Sequence, residues 1–418
     1  MQAEMQIIQK QDKAFTVFLW LLSLVSLYYH YRRVAIVQQI PLGKGIVGLM
    51  MMASEAILIV LAVRAYKECY VVLHPVVRFL ILLTIVYNTA HILYTTIWEQ
   101  DVAYLSLFGN PQYQPLFMLP IAFLIGLKPE RFFILFKCVW YYVLSLVPIY
   151  ILTGYFEPLA GMGILFLLAF ATYLPKSRRL FLLGFAVLYI LFSYRVDARA
   201  SAIRAIMGVA ILLFSITPFY KSRIVKAVIY VIIVALPLYF LVRFVNTGES
   251  IFEQLTSSSY LTDFEEEHSA DTRTFLYEEV FDDLTDNDAW VLGKSITGTY
   301  YSNYFDNKYS TEKEYRFGAE VGVLFFLLKG GLIQFVLYML ILLIAIYRCL
   351  FFSQSKCVVL IGLVLLSHYV LLFIEEVPHY DLYNIAIWLY VGMASSASIE
   401  EQDEASLEEK FDLIFSRK

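Results

Sequence analysis

The sequence predicts an all-α, polytopic integral membrane protein. It should form a helical bundle of about 12 transmembrane helices (roughly 11–14) with one large extracytoplasmic loop containing an amphipathic helix. Three observations carry this expectation. Hydrophobic residues make up 60% of the 418 positions and charged residues only 16%, against about 25% charged in soluble domains. Apolar runs of about 20 residues recur along the chain, the length a helix needs to cross a bilayer. One hydrophilic stretch, 245–316, interrupts them. Lipid forces each backbone segment to satisfy its own hydrogen bonds, and these runs are too long for barrel strands, so the spans read as helices.

Apolar windows predict helices near 14–30, 45–63, 77–98, 115–127, 132–153, 158–175, 179–194, 201–219, 225–244, 319–347, 357–374 and 383–398. The fourth is short and bracketed by Pro115, Pro120 and Pro129, which suits a re-entrant segment. The organisation is then an N-terminal set of about nine helices over 1–244, a large loop over 245–318, C-terminal helices over 319–398 and a tail over 399–418. The first apolar run lacks a small-residue cleavage site and reads as a retained anchor. Cys69, Cys138, Cys349 and Cys357 lie in or beside apolar segments, with neither disulfide nor metal spacing.

Basic residues in the short loops set the orientation. With the N-terminus inside, Lys10, Lys13, Arg64, Lys67, Lys128, Arg131, Lys176, Arg178, Arg179, Lys221, Arg223, Lys226, Arg348 and Lys356 fall on the cytoplasmic side, with the C-terminal tail. Arg32, Arg33 and Lys44 dissent. The net charge of -4 averages basic inner loops with an acidic outer one.

On this topology three outer segments hold unusual chemistry: 193–204, the large loop, and 375–381. Arg195, Arg199 and Arg204 stand at the membrane border, where a buried cation costs about 2.5–3.5 kcal/mol. They either snorkel to the interface or form an anion site, since guanidinium groups grip phosphate oxygens bidentately. Arg195 and Arg199 share a helical face, whereas Arg204 points elsewhere, towards Asp197 as a possible partner. In the loop, with Ser269 or Asp271 as N-cap, Arg273, Leu276, Tyr277, Val280, Phe281 and Leu284 follow the rhythm of one helical face, with Glu278, Glu279, Asp282 and Asp283 opposite. Arg273 thereby faces inward, either to a structural ion pair or to a ligand. The acidic run 282–288 lacks the glycine and distal glutamate of a calcium loop.

The run 316–348 exceeds a straight span, and Gly330–Gly331 is the expected break. Glu320 would then head a half-helix, where the dipole favours the ionised form that suits a general base, or a simple cap. Glu375, Glu376, His379 and Asp381 cluster at an outer junction, and His379 is the alternative base. Apart from Glu55, the apolar segments read as nearly free of charge. That argues against a transporter, which needs ionisable residues along its path and usually an inverted repeat.

The order of these features resembles the Wzy-type O-antigen and exopolysaccharide polymerases, relatives of the O-antigen ligases. DARASAIRAIMGVAILLF from Asp197 resembles the family's "SR" helix start. Arg273 through WVLGKSITGTYY (290–301) resembles its loop arginine and glycine turn, with Gly293 and Gly298. AEVGVLFFLLKGGLIQF (319–335) resembles the segment that follows. The likeness covers roughly 190–398, about half the chain. Where the ligases carry histidine and asparagine, this chain has Glu320 and Val321, and Tyr277 replaces the tryptophan that often follows the loop arginine. Both departures favour a polymerase over a ligase.

The resemblance implies a lipid-diphosphate-sugar-dependent glycosyltransferase in a bacterial inner membrane, with its site facing the periplasm. The growing glycan would pass from undecaprenyl diphosphate to an incoming undecaprenyl-diphosphate-linked repeat unit. Arg273 and Glu320 would be catalytic, and Arg199, with Arg195, Arg204 and Lys294, would hold the diphosphate. His379, Tyr277, Tyr300, Tyr301 and Trp290 would serve as alternative base or sugar-stacking groups; with Tyr304, the aromatic residues read equally as the loop's own core. No cofactor or metal is implied. The expected partners are the lipid-linked oligosaccharides, membrane lipids and a chain-length regulator protein, with no nucleic acid. Ligase and flippase readings are the rivals.

Overall fold

Each apolar window contains a helix. The computed structural model describes residues 12–31, 43–69, 73–98, 115–153, 160–195, 199–247, 274–302, 315–396 and 404–415. In chain order the helices are α1 (Lys13–Tyr31), α2 (Gly43–Cys69), α3 (Pro75–Trp98), α4 (Pro115–Gly126), α5 (Arg131–Thr153), α6 (Ala160–Ala169), α7 (Lys176–Arg195), α8 (Arg199–Ile216) and α9 (Arg223–Thr247). After them come α10 (Thr274–Asp286), α11 (Gly322–Phe351), α12 (Lys356–Leu372), α13 (Leu382–Ser395) and α14 (Glu404–Phe415). Two short strands, β1 (Tyr300–Tyr301) and β2 (Tyr315–Arg316), pair antiparallel before α11. The chain is therefore all-α in substance. Among the described residues five helices (α2, α3, α5, α9 and α11) are long and apolar enough to cross a membrane, and several shorter apolar helices accompany them.

Burial sorts the helices into an inner group and a rim. Every residue of α13 is buried, as are nearly all of α4 and α12. On α9 the exposed large apolar side chains include Ile224, Val228, Val231, Ile232, Leu236 and Val242, one broad apolar face that only lipid or another apolar partner satisfies. The inner helices come close because their contacts are small. A Cβ on Gly126 of α4 would lie 2.7 Å from Leu389 Cα of α13, a backbone approach that small residues permit in bilayers.

The short fourth segment is a buried helix. Pro120 has no amide hydrogen for the Leu116 carbonyl one turn back. Tyr338 Oη donates to that carbonyl at 2.7 Å and Asn88 Nδ2 also donates to it, so α3 and α11 repair the defect in α4.

The break expected at Gly330–Gly331 is present. Gly331 has φ 64° and ψ -166° inside α11, and residues 290–294 of the large loop fill the gap. Lys294 N donates to Leu328 O at 2.7 Å, while Leu332 N donates to Trp290 O at 2.8 Å. The two backbones touch through glycine: a Cβ on Gly293, itself at φ 71°, would lie 2.6 Å from Gly331 N. The glycine turn of the loop is thus a plug for a broken helix.

The amphipathic helix expected in the loop is α10. Leu276, Val280 and Leu284 are buried, Tyr277 and Phe281 are half-buried, and Glu278 and Asp282 are exposed. Its first residue is Thr274, so Arg273 and the expected N-caps lie outside the described residues. Tyr277 Oη donates to Phe373 O at 2.8 Å and ties α10 to the end of α12.

At the other end of the bundle basic side chains gather. Arg131 pairs with Asp12 at 2.7 Å, Arg179 donates to carbonyls of 171, 172 and 174, and Lys356 lies 5.5 Å from the Tyr173 ring centroid. The tail helix α14 closes this end: Phe411 stacks on Tyr173 at 4.7 Å, and Glu404 accepts from Ser355 Oγ at 2.8 Å beside the start of α12.

Candidate functional site

Buried ionisable groups meet at the end of the bundle remote from that basic cluster. α12 starts at Lys356 and carries His368 about 18 Å further along at 1.5 Å per residue. α8 brings Arg204 from its first two turns, and the connector from α12 to α13 contributes Glu376 and Asp381. All four are buried: Arg204 is 3% exposed, His368 4%, Glu376 1% and Asp381 6%. His368 Nδ1 lies 3.3 Å from Glu376 Oε2 and 3.2 Å from Tyr383 Oη. Tyr383 Oη also stands within the fields of Arg204 and of both carboxylates.

Local folding explains each placement. Asp381 caps α13 by accepting from Asn384 N at 2.8 Å, the usual role of aspartate at a helix start. Burial pushes its carboxyl up to about 7 against the opposing bonds from Asn384, and the nearby Glu376 adds to the rise. Glu376 is turned inward because Gly322, the first residue of α11, packs on its backbone. Glu376 is partnered by His368 and by the Tyr383 hydroxyl, whereas Arg204 Nε has no hydrogen-bond partner. A buried polar atom in that condition costs about 1–3 kcal/mol, or more, until something pairs with it. A cleft beside the cluster, lined by Ser26, Tyr142, Phe166, Asp381 and Tyr383, encloses about 20 Å³, room for about one water.

The residues expected from sequence divide clearly. Arg204 is in the cluster. Arg195 ends α7 and Arg199 begins α8, but their side chains, and the whole of Arg273, Asp197 and Tyr304, lie outside the described residues. Lys294 is held by Asp283 at 2.8 Å within the loop. Glu320 does not head a helix: α11 starts two residues later, and the Glu320 carboxylate, 59% exposed, pairs with Arg316 at 3.2 Å. The helix-dipole argument for that carboxylate therefore falls. His379 is half-buried in the connector, while its neighbours Glu376 and Asp381 take the interior.

The aromatic candidates form loop structure. Trp290 Nε1 donates to Thr285 Oγ1 at 3.0 Å and its ring packs 5.0 Å from Phe281. Tyr300 is wholly buried, and that burial pushes its hydroxyl up to about 12. Tyr301 packs on Tyr315 at 5.8 Å. In the acidic run, Asp283 is occupied by Lys294, and among the described residues no three His, Cys, Asp or Glu side chains gather as a metal site.

Sequence reasoning missed His368 and Lys329, although an ionisable residue inside an apolar segment is itself a signal. The expectation of charge-free segments is corrected here. Lys329 is fully buried in α11; its Nζ donates to Gly298 O and Phe317 O, both at 2.6 Å, and lies 3.3 Å from the Phe317 ring centroid. Two carbonyls and an aromatic face together solvate the ammonium. Comparison with family models, curated proteins and solved structures yields no match to this chain.

Proposed function

We propose that this chain is a membrane glycosyltransferase of the polysaccharide-polymerase type, moving a growing glycan from a polyprenyl diphosphate to an incoming lipid-linked repeat unit. The observation that carries the reading is the buried His368–Glu376–Tyr383 group, His368 lying 3.3 Å from Glu376, with Arg204 buried within its electrostatic reach and its Nε without a hydrogen-bond partner. In the reaction an acceptor hydroxyl oxygen bonds to the anomeric carbon as the bond to the diphosphate oxygen breaks. The bonding electrons leave with the diphosphate. A fixed guanidinium stabilises that charge more in the transition state than before it. Arg204 takes this part, with Arg199 and Arg273 as further clamps. The hydroxyl's proton passes to Glu376, with His368 beside it to share the charge; Glu320 becomes the second choice of base. A cleft of one-water size requires helix separation before a head group enters. The expected setting is the bacterial inner membrane with the cluster facing outward.

A second reading is favoured by the broken α11 with its buried Lys329. Discontinuous helices and intramembrane charge are features of transporters, so flipping of the same lipid-linked oligosaccharide is the rival.

Purified protein in nanodiscs, given only undecaprenyl-diphosphate-linked repeat units, should make a ladder of longer lipid-linked products. Arg204→Lys and Glu376→Gln should each slow it by about 100-fold or more while keeping wild-type unfolding temperatures. A ligase would need a different acceptor and a flippase would make no ladder. Absence of extension by well-folded wild type contradicts the proposal.

A further inference from the structure

We infer that the break in α11 carries a second ligand site, one for a neutral group bearing hydroxyl or carboxamide functions. It lies where α3, α4 and α11 meet, apart from the Arg204 cluster. Gln334, one turn past the break, is fully buried; its Oε1 has no hydrogen-bond partner, and its Nε2 reaches only the Tyr338 hydroxyl, which leaves one amide hydrogen over. The Asn88 side chain of α3 is 1% exposed; its Nδ2 is used on Leu116 O, but its Oδ1 has no partner. The hydroxyl of Tyr338 stands beside both amides, with its proton given to Leu116 O at 2.7 Å.

On the same side of α3, Tyr87 Oη donates to Gly330 O at 2.7 Å and its ring packs 4.6 Å from His91, whose Nδ1 is buried without a partner. Tyr87 and His91 are half-buried, flanked by exposed Val86 and by Leu332 and Val336 of α11. Half-buried polar side chains thus stand between an apolar flank and the break in α11 that precedes Gln334.

The chemistry of the vacant atoms selects the ligand class. Backbone carbonyls of 290 and 291 already occupy the amides of Leu332 and Ile333, so the half-helix end is not free for an anion. The unsatisfied groups at this place, Asn88, His91 and Gln334, include no carboxylate, so a cation gains nothing. What remains is at least one donor and two acceptors, the pattern that a sugar's hydroxyl or acetamido group completes. The proposed polymerase supplies such groups on a lipid tail, and to that extent this inference rests on that reading. A water satisfies the same pattern, so the experiment has to separate the two.

Detergent-free nanodiscs of the wild type are irradiated with a photoreactive alkyl N-acetylglucosaminide, or with the same alkyl chain lacking the sugar. The sugar probe is expected to label α3 or α11 between 83 and 95 or 328 and 340, at least fivefold above the sugar-free probe, and excess unlabelled glycolipid should remove the label. Gln334→Met should lower that labelling at least fivefold, while Arg204→Lys leaves it intact. The site can therefore stand even if the catalytic cluster is misassigned. Equal labelling by the two probes overturns the inference and leaves the amides to water. So does labelling that Gln334→Met does not change. The wild-type competition decides the matter should that variant fail to fold.

Discussion

Asp381 both caps a helix and holds a carboxyl group in a wholly buried position, and the second role makes it titrate near neutrality. The unfolded chain releases this proton near 3.8, whereas burial raises the folded value to about 7. Between those values the folded state keeps a proton that the unfolded state has lost. Stability is therefore full below pH 4 and declines as pH rises towards 7, by roughly 4 kcal/mol at about 1.4 kcal/mol per unit. Unfolding midpoints measured from pH 4 to 7.5 should fall with that slope. Asp381→Asn keeps a capping side chain and should flatten the curve. An undiminished slope in that variant would show that Asp381 is not the group responsible. Arg204 is a different case, because its value lies in fork geometry that lysine cannot reproduce.

At the scale of elements, the joint between α11 and the loop is the most constrained. Gly331→Ala would place a side chain at φ 64° and ψ -166°, a region nearly confined to glycine, costing about 1–3 kcal/mol in backbone strain, and its Cβ would lie 2.6 Å from Gly293 N. A drop in melting temperature is expected, with loss of hydrogen-exchange protection at residues 290–298. Gly184→Ala, in open surroundings within α7, should be neutral or stabilising by up to about 1 kcal/mol. Equal behaviour of the two variants would show that the joint bears no strain. The sequence made this break legible through length alone, since 30 residues of helix span about 45 Å. It did not reveal that the loop supplies the missing backbone bonds, because pairing between positions 294 and 328 follows no local period. The same limit governs the site. Arg204 stood out as a cation in an apolar helix, but its place within the field of Tyr383 depends on the packing of α8 against α12. Lys294 was read as available, yet Asp283, eleven residues earlier, takes it across a turn rather than along a helix face.

For the molecule as a whole, helical character was readable from apolar windows because lipid leaves the backbone no other solution. The grouping of buried α4, α12 and α13 inside an apolar rim depends instead on small contacts such as Gly126 against Leu389. Basic side chains collect at one end and the Arg204–His368–Glu376 cluster at the other, so the two ends of the bundle differ in chemistry. We propose that Arg204 at that second end, whose Nε has no hydrogen-bond partner, receives a lipid diphosphate. Native mass spectrometry of nanodisc-embedded protein titrated with undecaprenyl diphosphate measures this directly. One saturably bound lipid diphosphate is expected on the wild type and at least tenfold weaker binding by Arg204→Lys, with monophosphate bound less well. Equal retention by both proteins would contradict it.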